Sequence, residues 1–216
     1  VFVCSASGHL FALNQVDGSF GWKASISSES LAPPKVDNDL VVVQTIDGKV
    51  AGYGASDGSK RWEYAAKIPP LTLRGTSTPM IYDDIVIAGF SNGRIAFITR
   101  DDGLAAFEQI VGVPEGVSDL EKLVDLDGKM VIENNVLYIT GYKGKLIAID
   151  LRAGETLWER EASSLAGVSF GFGNVYLISV DGKVIAYNGS NGREVWRVET
   201  LLNRQFCLLY TSDAAD

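Results

Sequence analysis

Cysteine, histidine and long basic or apolar runs are what this sequence lacks. Its 216 residues include two cysteines, Cys4 and Cys207, and one histidine, His9. There is no C-x-x-C pair and no His cluster at metal-ligand spacing, which argues against the usual zinc sites. No Ser-His-Asp set assembles around the lone histidine, and the G-x-x-x-x-G-K-[ST] phosphate cradle is absent. Lysine and arginine never run beyond a pair and the formal net charge is −8, which argues against a nucleic acid held through its phosphates. No window approaches the roughly 18 apolar residues of a membrane-spanning helix. Carboxylates are scattered over turns without an evident catalytic pair. An apolar fraction of 46% and an aromatic fraction of 10% argue against disorder. The balance fits an acidic protein that docks on other proteins.

The chain opens with Val1-Phe2-Val3-Cys4, already a strand pattern, so the natural N-terminus and any targeting signal are expected upstream. A lipid-bearing cysteine needs an apolar leader and a small residue before it. Val3 precedes Cys4, which therefore reads as a small buried residue.

What the sequence does have is a repeat. A glycine is followed four residues later by a large aromatic at Gly18/Trp22, Gly58/Trp62, Gly103/Phe107, Gly154/Trp158 and Gly192/Trp196. Ten residues before each of these glycines stands another: Gly8, Gly48, Gly93, Gly144 and Gly182. The clearest copy, Ala148 to Trp158, reads A-x-D-x-x-x-G-x-x-x-W. Each unit has a short leading run, a central hairpin through an X-Gly turn, a second X-Gly turn and a last strand with the aromatic. The period runs from 38 to 51 residues. Four antiparallel strands at that period describe an all-β propeller blade. The expected blades lie near residues 1–27, 32–67, 76–112, 124–162 and 164–200, the first incomplete. The glycines should take the left-handed turn position, the Asp residues should cap the turns, and the aromatic should pack between neighbouring blades. These are structural roles. His9 stands where other repeats carry Lys49, Arg94, Lys145 and Lys183, and reads as a surface residue beside a turn.

Two stretches break the period. One runs from Lys67 to Thr76 and places Leu71, Leu73 and Arg74 in a loop. An arginine among apolar residues on a loop is typical of an interface anchor. The alternative is a loop that folds back on itself. The other runs from Gly112 to Lys129; its Ser118–Leu123 part is compatible with one helical turn. In repeat proteins such insertions map to loops on one face, often the binding face.

The docking repeats resemble those of quinoprotein-type propellers. Within that group the chain is most similar to the BamB family of outer-membrane assembly lipoproteins. The residues that carry this are Leu71-Thr72-Leu73-Arg74-Gly75, the D-x-D stretch Val124-Asp125-Leu126-Asp127, and Leu146 to Trp158. The resemblance runs from about Val1 to Phe206. It implies an eight-bladed propeller of which about five blades are present. It also implies no catalytic activity, no cofactor and no metal. The family binds the periplasmic POTRA region of BamA and meets other subunits of the β-barrel assembly (BAM) complex indirectly. It sits on the periplasmic face of the outer membrane, touching the membrane only through an N-terminal lipid. Carried onto this chain, the resemblance makes Leu71 and Leu73 apolar anchors, Arg74 a cation, and Asp125 and Asp127 the acidic side of the contact. Five blades of eight leave two apolar faces open, which implies self-association. Two other functions use the same repeat: a quinone-dependent dehydrogenase, for which the adjacent-cysteine pair is missing, and a propeller that binds another periplasmic ligand. Residues 207–216 match no part of the repeat. They look like a translated sequencing adapter and are expected to be non-native.

Overall fold

The computed structural model describes residues 1–69, 77–113, 123–126 and 128–199. Leu71, Leu73, Arg74, Asp127, the 118–122 stretch and the 207–216 tail lie outside them. The described residues are all-β, in five antiparallel sheets. The first holds β1 (Phe2–Ser5), β2 (His9–Leu13) and β3 (Phe20–Ser25). The second holds β4 (Lys35–Asp37), β5 (Leu40–Gln44), β6 (Lys49–Gly54) and β7 (Lys60–Ala65). The third holds β8 (Met80–Tyr82), β9 (Ile85–Gly89), β10 (Arg94–Thr99) and β11 (Ala105–Ile110). The fourth holds β12 (Val131–Glu133), β13 (Val136–Ile139), β14 (Leu146–Asp150) and β15 (Glu155–Arg160). The fifth holds β16 (Val168–Gly171), β17 (Asn174–Ile178), β18 (Val184–Asn188) and β19 (Glu194–Val198). Strands follow chain order in every sheet, which is the meander of a propeller blade. The chain divides into two compact units, Val1–Ile110 with three sheets and a second that starts at Val111 with two.

Burial explains the sequence pattern. The middle strands are covered on both faces, so β5 reads Leu-Val-Val-Val-Gln and is buried throughout. The last strands of the first four sheets have only one covered face, and in β7 only Trp62 is buried, whereas β19 is exposed throughout. Cys4, on the edge strand β1, is half-buried rather than buried, and burial pushes its thiol up.

Every sheet carries the same irregularity. The register between its last two strands slips beside the docking aromatic: Ala12 faces Trp22 but Leu13 faces Phe20, and Gly52 faces Trp62 but Tyr53 faces Lys60. The same slip falls beside Phe107, Trp158 and Trp196. One extra residue before the ring bends the strand and re-aims the ring, which is what a β-bulge does.

Three of the re-aimed rings, Trp22, Trp62 and Trp158, clasp the following sheet, whereas Trp196 of the fifth sheet is 42% exposed. Trp62 lies over Gly52 of its own sheet, where an added Cβ would sit 2.4 Å from the ring. Its far edge covers Gly103, where a Cβ would sit 2.8 Å away, and its indole N–H donates to the Arg100 carbonyl at 2.7 Å. Gly103 also has φ +73°, so it meets two demands at once, left-handed backbone and open space for the neighbouring ring. Trp22 repeats this on Gly58 with a 3.0 Å bond to the Ala55 carbonyl. Trp158 does so on Gly192 with a 2.8 Å bond to the Gly189 carbonyl. Phe107 differs: its cross-strand partner is Phe97, and the two rings stack at 4.0 Å. Two smaller rings fill the volume that an indole over Gly or Ala fills elsewhere.

Arginines add clamps that periodicity does not announce. Arg100 forms an ion pair with Asp37 and donates to the Asp37 carbonyl at 3.0 Å, tying the third sheet to the second. Arg160 donates to the Gly192 and Asn191 carbonyls at 2.6 and 2.8 Å, tying the fourth sheet to the fifth.

The first hairpin of each four-stranded sheet puts a non-glycine residue in the left-handed region: Asn38, Asp83, Asn134 and Phe172, at φ 49°, 47°, 49° and 50°. Asn and Asp tolerate that region, whereas an aromatic there is strained. Phe172 is also 73% exposed, so burial returns little for the strain. Phe172→Asn is therefore expected to raise stability by about 1 kcal/mol. The urea midpoint should move up at unchanged slope.

The turn carboxylates behave as capping groups. Asp57 accepts from the Ser59 backbone N–H at 3.0 Å and Asp17 does the same for Ser19. Those donors hold both carboxyls below the usual range; the Thr99 hydroxyl and then the Leu104 backbone do so for Asp102. A pKa lowered by folding adds stability that is present above the unfolded value and lost as pH falls through the folded one. The melting temperature is thus expected to hold down to about pH 5 and drop below about pH 4. Asn191 caps its turn uncharged, through a 2.9 Å bond from the Arg193 N–H. Asp57→Asn should keep the turn and flatten the acid limb; an unchanged limb in an Asp17, Asp57, Asp102 triple Asn variant would refute the assignment.

Candidate partner-docking surface

Central turns and inter-sheet connections share one end of each sheet. The described start of the first connection, Ala66 to Pro69, runs across two such turns. Ala66 N–H donates to the Gly48 carbonyl at 2.9 Å, Ile68 covers Gly48, and the Asn92 amide donates to the Lys67 carbonyl at 2.9 Å.

The described end of the second connection, residues 123–126 and 128–129, is a strap knitted into the second unit. Val124, Asp125 and Leu126 are 1%, 2% and 0% exposed. Asp125 pairs through its backbone with Tyr142: the Tyr142 N–H donates to Asp125 O at 2.8 Å and the Asp125 N–H to Tyr142 O at 3.3 Å. The approach is so close that a Cβ on Gly141 would lie 2.2 Å from Asp125 O. Further on, Lys129 makes a parallel bridge to Gly167, and the Val168 N–H donates to Lys129 O at 2.9 Å. The Ser163 hydroxyl donates to the Gly141 carbonyl at 3.1 Å and accepts from the Lys143 N–H at 2.8 Å.

The Asp125 pairing alters the central turn of the fourth sheet. In four sheets the turn glycine is left-handed: Gly8, Gly48, Gly93 and Gly182. In the fourth, Lys143 takes that conformation at φ 53° and Gly144 does not. The expectation that Gly144 supplies the left-handed residue is corrected here. Its lack of a side chain instead permits the approach of Gly112, whose added Cβ would lie 3.1 Å from the Gly144 Cα.

Of the five expected contact residues, Asp125 alone is among the described residues. Its carboxylate is buried and not on the open surface, because the strap carries it between packed elements. His9 is near a turn as expected, its Nδ1 3.2 Å from the Ser7 hydroxyl. Among the described residues, no three of His, Cys, Asp and Glu converge as a metal site. A cleft of about 540 Å³ in the second unit contains Lys183 and Arg197. Asp181 holds Lys183 at 2.8 Å and Glu194 holds Arg197 at 2.6 Å, so the cleft offers no uncompensated charge.

Comparison with known proteins follows the same lines. A family model described as outer membrane protein assembly factor BamB matches residues 1–198. The BamB proteins of Yersinia pestis and Shewanella oneidensis are 31% and 32% identical over 204 residues, 94% of this chain and 52% of each relative. The chain spans about half the length of these curated relatives. The crystal structure of BamB from Moraxella catarrhalis superposes with TM-score 0.88 at 30% identity, over 94% of this chain and 62% of that one. A europium-containing methanol dehydrogenase superposes with TM-score 0.71 at 13% identity, over 91% of this chain and 48% of that one, and shares the propeller fold alone. Bulged, tryptophan-clasped blades together with these matches show that the chain belongs to the BamB family of outer membrane protein assembly factors.

Proposed function

We propose that this chain is a non-enzymatic docking scaffold of the outer-membrane β-barrel assembly machinery, engaging the POTRA region of BamA. Other BAM subunits are met indirectly. The full-length protein works on the periplasmic face of the outer membrane, held by an N-terminal lipid. The observation that carries the reading is the strap. The residues on both sides of position 127, Leu126 and Gly128, are buried and closely packed. Position 127 is thus flanked on both sides by fixed residues, which lowers the ordering cost of a contact there. Asp125 serves by fixing the strap through its backbone pairing with Tyr142. Leu71, Leu73 and Arg74 supply apolar anchors and a cation, with Asp127 on the acidic side.

Leu73→Ala and Arg74→Glu should each weaken capture of the POTRA region by about 30-fold or more, the loss expected of an interface anchor. Melting of both variants should match the parent. Undiminished capture by both sinks the proposal.

A further inference from the structure

We propose that the fifth sheet of one copy of this chain docks on the first sheet of a second copy, with Trp196 of one copy seated on Gly18 of the next. This goes beyond the docking function proposed above and does not depend on it.

The ring lacks a seat. Trp196 is set as Trp158 is. Each faces an alanine across the bulged pair, Ala186 and Ala148. Each lies against a tyrosine, Tyr176 at 5.8 Å and Tyr138 at 5.9 Å, with the same 41° between ring planes. Trp158 is 8% exposed and covers Gly192, whereas Trp196 is 42% exposed. Around them, Tyr176 and Val184 hold the places of Tyr138 and Leu146, which are buried against the fifth sheet; Tyr176 and Val184 are half-buried. The ring is thus held in its clasping orientation before a partner arrives, which lowers the cost of binding.

The seat lacks a ring. Gly18 and Gly58 both have φ 70°, and their N–H groups bond the Asn14 and Gly54 carbonyls at 2.9 Å. A Cβ on Gly58 would lie 2.4 Å from Trp22, whereas one on Gly18 would meet nothing within 4 Å. The Trp22 indole donates to the Ala55 carbonyl, and Gln15 is the matching residue of the Gly18 turn. The sheet behind that turn is open too. Val1, Val3, Phe11 and Leu13 match Val41, Val43, Ala51 and Tyr53, which are buried against the first sheet. Val1 and Val3 are 58% and 45% exposed, and Phe11 and Leu13 are half-buried. Three tryptophan-on-glycine pairs within the chain show what fits this seat, and a second copy carries that ring. Ring and seat lie on different sheets, so the contact is heterologous.

Sedimentation velocity of the 216-residue chain over a micromolar series tests this. The parent should associate in that range, the weak end for protein interfaces. Trp196→Ala removes the ring. Gly18→Asn fills the seat with a side chain that a left-handed turn tolerates. Each should raise the concentration of half-association by about 30-fold or more, the loss expected at a hot spot. Mixed together, the two variants should form one-to-one pairs and stop there, since one still offers a ring and the other still offers a seat. Val3→Lys puts a charge on the accepting face without touching the turn, and should replace Gly18→Asn in that mixture. All three positions are exposed, so circular dichroism of each variant should match the parent. A parent that stays monomeric overturns the inference. So does a Trp196→Ala chain that associates as the parent does, or a mixture that stays monomeric. Each of these results leaves docking on the POTRA region standing, because that partner takes no part in the experiment.

Discussion

Trp62→Ala is expected to destabilise the chain by about 3–5 kcal/mol, the range for removing a buried large aromatic. The ring is 6% exposed and touches two sheets, so its loss opens a void with glycine on both walls, Gly52 and Gly103. Neither glycine can fill it. The Arg100 carbonyl loses its 2.7 Å donor at the same time, and Arg100 is also the residue that pairs with Asp37. Cavity, orphaned acceptor and clamp therefore fail together. Trp62→Phe should fall between, by about 1–3 kcal/mol, because it keeps part of the ring and loses the N–H. The third sheet shows why phenylalanine is not a simple replacement: Phe107 works there with Phe97 opposite, whereas Trp62 has Gly52 opposite. Urea unfolding of the three proteins checks this. A loss under about 1 kcal/mol for Trp62→Ala would mean that the clasp does not hold the sheets.

The clasp was legible in the sequence because its chemistry permits few residues. A left-handed turn under a neighbouring ring admits only glycine, and a ring that spans two sheets and donates one hydrogen bond is best supplied by tryptophan. Spacing then exposes the repeat. The bulge was not legible, since any residue can occupy it: Gly21, Arg61, Ala106, Leu157 and Val195 stand before the five rings. Arg100 and Asp37 are 63 residues apart, and no local pattern links them. The strap shows the limit more sharply. Two aspartates in a loop that breaks the period read as surface acids. Burial of Asp125 depends on a backbone pairing with Tyr142 that side-chain identity does not encode. The same pairing moves the left-handed residue from Gly144 to Lys143, against the local preference for glycine. In both places a non-local backbone contact overrides a local propensity.

Gly141→Ala separates the strap from the blades. Gly141 has no left-handed φ to lose, so the substitution acts through space alone. The added Cβ would lie 2.2 Å from Asp125 O and 2.5 Å from the Leu126 side chain. The first neighbour is backbone and cannot rotate away, so the strap must lift. Burying Val124 and Leu126 stabilises by roughly 1.5–3 kcal/mol each, which sets the upper bound of the loss. The expected fall is about 3 kcal/mol, because a lifted strap recovers part of its contacts by shifting. The fourth sheet keeps its β12–β15 ladder and its clasp on Gly192, so circular dichroism should change little. Proteolysis between residues 111 and 129 should speed up, as it does where local opening becomes cheap. Capture of the POTRA region should fall with it if docking needs the residues beside position 127 held in place. A variant that is cleaved readily yet captures its partner as well as the parent would show that the strap stabilises the fold and takes no part in recognition.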